Sequence, residues 1–184
     1  DVNDVECSLK GISNSECMDC NNLTLSHIRY SHPMVLVAIS LLFNAILKHG
    51  KVPEGFGSSV LVPIIKDKNK NFDEVSTYRP ISIVPIVAKL FERFIEKYWD
   101  KFFVFHPNQF GFVQNGGCNK ALFAFSRTVD YFRSKGSNVY ICSLDACKAF
   151  DRVNHFALFA CMLRRGVPLP LVNIMFSWYR KLNG

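Results

Sequence analysis

The sequence predicts an α+β fold, and three observations carry that prediction. Helical stripes and short β-rich runs follow one another without a regular β-α-β alternation. The apolar fraction is 49% and the charged fraction 20% over 184 residues, enough for a globular chain with a substantial core. Seventeen phenylalanines help bring the aromatic share to 14%, so the core is expected to be Phe-rich.

Residues 1–30 are polar and weakly patterned, with Asn14, Asn21 and Asn22 breaking periodicity, and read as a loop-rich lead-in. Pro33 opens a helix whose apolar positions are Leu36, Ile39, Phe43 and Ile46, with Lys48-His49-Gly50 as its stop signal. Ser58–Lys66 is a β-rich run, and Pro63 within it argues for an edge strand or a bulge. Arg79 precedes Pro80 and is therefore extended. From Pro85 a long amphipathic helix places Ile86, Val87, Leu90, Phe91, Phe94, Ile95 and Tyr98 on one face, with Lys89, Glu92, Arg93, Glu96, Lys97 and Lys101 opposite. After a Gly-rich break over 107–117, Ala121, Leu122, Phe125, Val129 and Phe132 form another helical stripe closed by Gly136. Val139–Asp145 reads as the best strand, and helices are expected at about 155–165 and 169–182.

The net charge of +7 is uneven: residues 1–50 carry −2 and the remainder +9. A basic body suits a polyanion such as nucleic acid, and a solvated basic surface accounts for it equally well. The first 30 residues lack the basic start and apolar core of a signal peptide. The longest apolar run, Met34–Leu47, is too short to span a bilayer and contains Ser40 and Asn44, so no membrane association is expected. Seven cysteines, an odd number, suggest reduced thiols in an intracellular protein, nuclear or cytoplasmic. Cys17-Met-Asp-Cys20 has zinc-knuckle spacing, but no second closely spaced ligand pair accompanies it, and the cysteines are read as incidental. The chain starts at Asp1 and ends just after an apparent helix, so it is expected to be a piece of something longer.

Three blocks carry candidate chemistry. Asp145 ends an apolar strand, where a lone acid is costly unless a cation or hydrogen bonds hold it. That position suits a Mg²⁺ ligand, and it equally suits an acid capping a following helix. Asp151 would stand about 20 Å away along a strand and on a different face of a helix, so the two are not a local carboxylate pair. Lys66 and Arg79 on a hairpin can close on one triphosphate, Lys as a point charge and Arg as a bidentate fork; the alternative is a pair of surface cations. Gly111 in Gln109-Phe-Gly-Phe112 permits close backbone approach to nucleic acid, or simply a turn between helices.

Val62-Pro-Ile-Ile-Lys66 with Tyr78-Arg-Pro-Ile-Ser82, then Gln109-Phe-Gly-Phe112, then Asp145-Ala-Cys-Lys-Ala-Phe-Asp151 together resemble the reverse transcriptases of non-LTR, LINE-like retrotransposons. The resemblance covers nearly the whole chain, most strongly from about residue 23. It implies a right-hand polymerase fold: residues 31–135 as fingers and 136–184 as the start of the palm, after the lead-in 1–30. It implies that Asp145 binds two catalytic Mg²⁺ ions, Mn²⁺ being an alternative, with the Ala146 carbonyl as a further ligand. Lys66 and Arg79 would grip the incoming dNTP, and Phe150 would lie under its sugar and select against a 2′-hydroxyl. Gln109 and Gly111 would lie along an RNA template and DNA primer. Asp151 and Arg152 are assigned to structural pairing.

The sequence departs from the family at Val113, where a basic residue is usual, at Gly117-Cys118-Asn119, and in the degenerate stretch 10–19. The family's aromatic-x-Asp-Asp motif does not occur in it. The expectation is therefore the N-terminal part of an RNA-directed DNA polymerase domain, inactive alone, with the remainder of the same polyprotein as its partner. The alternative is a truncated or domesticated remnant that binds nucleic acid without catalysis.

Overall fold

The computed structural model describes residues 1–13, 17–66 and 73–182. Seven α-helices, three short 3₁₀ turns and one antiparallel hairpin make up the regular structure of these residues, a mixture of helix and strand as expected. They divide into two compact units: residues 1–102 together with the segment from His155 onward, and Phe103–Asn154.

The first unit begins with α1 (Val2–Lys10) and α2 (Leu25–Arg29), two helices in the stretch read as loop-rich. A capping box starts α1: the Asp1 carboxylate accepts from the Asp4 N–H at 2.9 Å, and Asp4 answers the N-terminal ammonium at 2.8 Å. Val5 and Leu9, one turn apart, are buried, and Lys97 pairs with Asp4 at 2.6 Å, drawing α1 toward the helix that carries Lys97. Arg29 of α2 donates to the carbonyls of Leu9 at 3.2 Å and Ile12 at 3.3 Å, at the C-terminal end of α1 and just beyond it.

Helix α3 (Pro33–His49) has Pro33 at its first turn and ends on Gly50, whose φ of +64° is open to glycine at little cost. Helix α4 (Ile86–Trp99) buries Ile86, Leu90, Phe91, Phe94 and Ile95 as predicted, and Ala88 as well. After the second unit come α6 (His155–Arg164) and α7 (Leu169–Tyr179), close to the expected spans. The core is aromatic, as the composition indicated. Phe43 of α3 packs on Phe91 and Phe94 of α4, each at 5.0 Å between ring centroids, and Trp178 of α7 lies 5.5 Å from Phe56 and 5.7 Å from Phe91. Such offset and edge-on pairs add about 0.5–1.5 kcal/mol each beyond the area they bury.

The segment 52–57 is tied to α7 by polar contacts. The Trp178 indole donates to the Phe56 carbonyl at 3.2 Å, the Val52 N–H donates to Ser177 Oγ at 3.2 Å, and Lys181 reaches the Val52 carbonyl and Glu54 at 2.7 Å each. A Cβ on Gly57 would sit 1.8 Å from the Lys181 carbonyl oxygen, so only glycine allows this approach.

The second unit contains α5 (Cys118–Ser134), which ends near Gly136 as expected. Its apolar stripe departs from expectation: α5 buries no residue, and Leu122, Phe125 and Phe132 are all exposed. Periodicity sets which residues share a face, but burial also needs a surface to cover that face.

The predicted strand Val139–Asp145 is corrected as well. The segment has no ladder partner among the described residues, and Tyr140 and Leu144 are 91% and 93% exposed. β-rich composition favours a pleated surface, but a strand exists only when a neighbour takes its N–H and C=O groups.

Candidate functional site

The basic pair of the first unit sits on the antiparallel hairpin of β1 (Val60–Ile65) and β2 (Tyr78–Ile83). The ladder is unbroken, pairing Val60 with Ile83 through to Ile65 with Tyr78, so Pro63 marks an edge and not a bulge. The Lys66 N–H donates to the Thr77 carbonyl at 2.9 Å. Counting back in twos makes Ile64–Arg79 and Val62–Ile81 the hydrogen-bonded pairs, and it places Pro63 opposite Pro80 in a pair that exchanges no hydrogen bond. Both prolines therefore lack an N–H exactly where the ladder asks for none, which is why a Pro-containing sequence forms a regular hairpin here.

The same register brings the two cations together. Ile64 lies directly across from Arg79, so their side chains share a face, and Lys66 continues that face two residues on. Diagonal neighbours of this kind stand about 7–8 Å apart, within reach of long side chains. Arg79 and Lys66 are both exposed, and neither strand of the hairpin buries a residue fully. Two exposed basic residues on one face of a backbone ladder have the chemistry to meet an anion, Arg as a fork and Lys as a point charge.

In the second unit, Gln109 and Gly111 stand in a tight turn. The Gln109 N–H donates to the His106 carbonyl at 2.9 Å, its side-chain amide donates to the Gly111 carbonyl at 3.0 Å, and the Gly117 N–H reaches the Phe110 carbonyl at 2.8 Å. Phe112, with φ +56°, and Asn115, with φ +58°, take left-handed conformations here, and Gly111 does not. Gly111 has open space where a Cβ would stand, which is the room a close ligand needs; Gly116, by contrast, would place a Cβ 2.3 Å from the Phe110 carbonyl oxygen.

Asp145 and Ala146 are exposed, and a series of turns over 147–152 follows them, with Lys148 at φ +51°. No helix begins directly after Asp145, so it is not a helix cap. Asp151 and Arg152 form no ion pair among the described residues, which corrects their assignment to structural pairing. Phe150 is brought to the turn motif: its ring meets Phe112 edge-on, centroids 6.3 Å apart. Two blocks separated by more than thirty residues thus meet within one unit.

The donor set does not fit a pair of metal ions. No three His, Cys, Asp or Glu side chains gather on one point among the described residues, at Asp145 or elsewhere. One carboxylate cannot clamp two divalent ions. The Cys17–Cys20 pair has no further ligand gathered beside it among those residues either; Asp19, between the two cysteines, is used elsewhere. No helix among the described residues is long and apolar enough to cross a membrane.

Sequence reasoning passed over two residues. Phe112 lay inside a quoted motif but drew no role. Asp19 is 5% exposed and accepts three backbone hydrogen bonds, one of them from Ile86. The run Asp19-Cys-Asn-Asn22 carried the signal for its local turn, but nothing in it pointed to Ile86.

Residues 65–184 match the family model described as reverse transcriptase (RNA-dependent DNA polymerase), about two thirds of the chain, and the chain belongs to that family. Membership implies the polymerase fold, and enzymes of the family generally work with divalent metal ions and on a nucleic-acid template and primer. The chain is 28% identical over 144 residues to the retrovirus-related Pol polyprotein from type-1 retrotransposable element R2 of Nasonia vitripennis, covering 77% of the chain and 14% of that relative. It is 28% identical over 150 residues to the probable RNA-directed DNA polymerase from transposon X-element of Drosophila melanogaster, covering 78% and 16%. It is 30% identical over 138 residues to the RNA-directed DNA polymerase from mobile element jockey of Drosophila funebris, covering 70% and 14%. The chain therefore spans about one seventh of the length of these curated relatives. The resemblance to non-LTR retrotransposon polymerases holds, and nothing in these likenesses favours the non-catalytic remnant.

Proposed function

We propose that this chain is the fingers and the front of the palm of an RNA-directed DNA polymerase, acting within a longer polyprotein on an RNA template, a DNA primer and dNTPs. The observation that carries the reading is the hairpin register, which sets Lys66 and Arg79 on one exposed face. There Arg79 forks around phosphate oxygens and Lys66 adds a point charge, holding the triphosphate while a primer 3′-hydroxyl attacks its α-phosphorus and pyrophosphate leaves. Phe150 supports the sugar, and its edge-on contact with Phe112 limits where its ring can stand. Gln109 and Gly111 follow the template–primer backbone, with Gly111 leaving room for it.

Asp145 and the Ala146 carbonyl are this chain's donors toward divalent metal, proposed as Mg²⁺ with Mn²⁺ as an alternative. They are a partial set, and no step is assigned through them. Primer extension by the complete polymerase tests the reading. Asp145→Asn is expected to lower synthesis by about a thousandfold or more, in the range of losing a principal transition-state contact; synthesis within about threefold of the parent would reject Asp145 as a catalytic group.

A further inference from the structure

Helix α4 has no local N-cap. The residue before Ile86 is Pro85, whose side chain accepts no hydrogen bond, although its carbonyl takes the Lys89 N–H at 3.0 Å. The acceptor comes instead from Asp19, 67 positions upstream, whose Oδ2 takes the Ile86 N–H at 2.8 Å. Its Oδ1 accepts from Asn21 at 2.8 Å and Leu23 at 2.9 Å. The loop around it is closed by the Asp19 N–H to the Leu23 carbonyl at 2.9 Å and the Asn22 N–H to the Asp19 carbonyl at 3.0 Å. That loop runs straight into buried Thr24 and Leu25, so it is fastened to the core on its far side.

Asp19 is buried with no cationic partner among the described residues, and its charge is balanced by three N–H groups and the positive end of α4. The hairpin strand β2 ends at Ile83, three residues before the capped Ile86. A two-stranded hairpin is marginal alone, and this one buries no strand residue fully. Its direction therefore depends on how the chain enters α4.

We propose that Asp19 is a positioning residue for the hairpin: it fixes the entrance to α4 and so holds Lys66 and Arg79 at a set place on the core. The functional half of this inference rests on the assignment of Lys66 and Arg79 to the incoming triphosphate. A general loosening of the fold would speed exchange throughout the molecule, whereas loss of a positioning contact acts first on the hairpin.

The test is amide hydrogen exchange and dTTP binding by the 184-residue chain, comparing Asp19→Asn and Asp19→Ala with the parent. Asn keeps the shape but turns an N–H₂ group or a single oxygen toward three donors. Exchange at Ile86, Ile64 and Arg79 is expected to speed up about tenfold or more, the equivalent of one charged hydrogen bond, while Phe43 and Ile46 in α3 keep their protection. Affinity for dTTP is expected to fall about tenfold in parallel. Faster exchange at Ile86 alone would overturn the proposal and leave Asp19 a simple cap. Uniformly faster exchange, or failure of both variants to fold, would overturn it too, making Asp19 a general stability residue. Arg79→Ala separates the two readings: unchanged dTTP affinity in that variant rejects the triphosphate assignment, while the exchange pattern still decides the positioning role.

Discussion

The Phe112 ring meets Phe150 edge-on at 84°, although Phe112 holds a φ of +56° that bulky residues rarely adopt. Both rings are largely exposed, Phe112 at 90% and Phe150 at 79%, so the contact is held by backbone geometry more than by burial. The left-handed conformation costs an ordinary residue about 1–2 kcal/mol, and an aromatic pair returns about 0.5–1.5 kcal/mol. Phe112→Ala keeps the strain and loses the ring, whereas Phe112→Gly loses both. The glycine variant is expected to be the more stable of the two by about 1 kcal/mol in denaturant unfolding. An alanine variant at least as stable would show that the left-handed backbone at this position is wrong.

Phe150 is the proposed sugar contact, and Phe112 limits its ring. In the complete polymerase, Phe150→Ala is expected to lower discrimination between dTTP and UTP by about tenfold or more, roughly 1.4 kcal/mol of differential transition-state binding. Steady-state kcat/KM for the two nucleotides checks this. An unchanged ratio would leave Phe150 as an exposed ring without a part in selection.

Asp19 predicts a pH dependence of stability. Burial pushes its pKa up, but the N–H groups of Ile86, Leu23 and Asn21 outweigh that and hold it below the usual carboxylate value. Its stabilisation is therefore fully present above the unfolded-state value of about 3.9 and is lost as pH falls through the lower folded value. Urea unfolding between pH 6 and pH 2 should show an acid loss that Asp19→Asn removes. An identical acid profile in the variant would assign that loss to other groups.

Phe43 is fully buried between Phe91 and Phe94. Phe43→Ala is expected to cost about 3–5 kcal/mol, since the cavity is walled by rings that cannot all relax into it. A loss under about 1 kcal/mol would mean that the α3–α4 core is looser than the ring packing indicates.

Much of this was legible in the residues, and the reasons differ by element. Helices α3 and α4 follow from apolar spacing and end signals because their stripes find cover: α1 packs on both, α7 packs on α3, and Phe43 meets Phe91 and Phe94. The hairpin follows from β-rich runs, and its two prolines are tolerated because they fall opposite each other. Helix α1 was missed although Asp1, Asp4, Val5 and Leu9 spell out a cap and one apolar face; its few apolar positions were masked by the polar residues around them. The exposed stripe of α5 and the unpaired Val139–Asp145 show the limit from the other side: period and propensity are local, whereas burial and pairing need a partner surface. The Asp19–Ile86 bond is a long-range contact that no local pattern announces. Lys66 and Arg79 were expected on one hairpin, and the register adds that they fall on one face of it.

The surroundings of Asp145 lead to a further expectation. The 184-residue chain should show no primer extension with Mg²⁺ or Mn²⁺, because no group of three or more metal-ligating side chains gathers at Asp145 among the described residues. It should still bind RNA or DNA weakly, with affinity falling steeply as salt rises. Metal-dependent synthesis by the chain itself, abolished by Asp145→Ala, would show the set to be complete.

The most direct measurement of the central claim is equilibrium dialysis of dTTP and dTMP against this chain and its Lys66→Ala and Arg79→Ala variants. The hairpin grip predicts that dTTP binds at least about tenfold more tightly than dTMP, and that each substitution removes most of that difference, as loss of a charge-assisted phosphate contact should. Equal binding of the two nucleotides, or a preference for dTTP untouched by either substitution, would contradict the assignment of this hairpin to the incoming nucleotide.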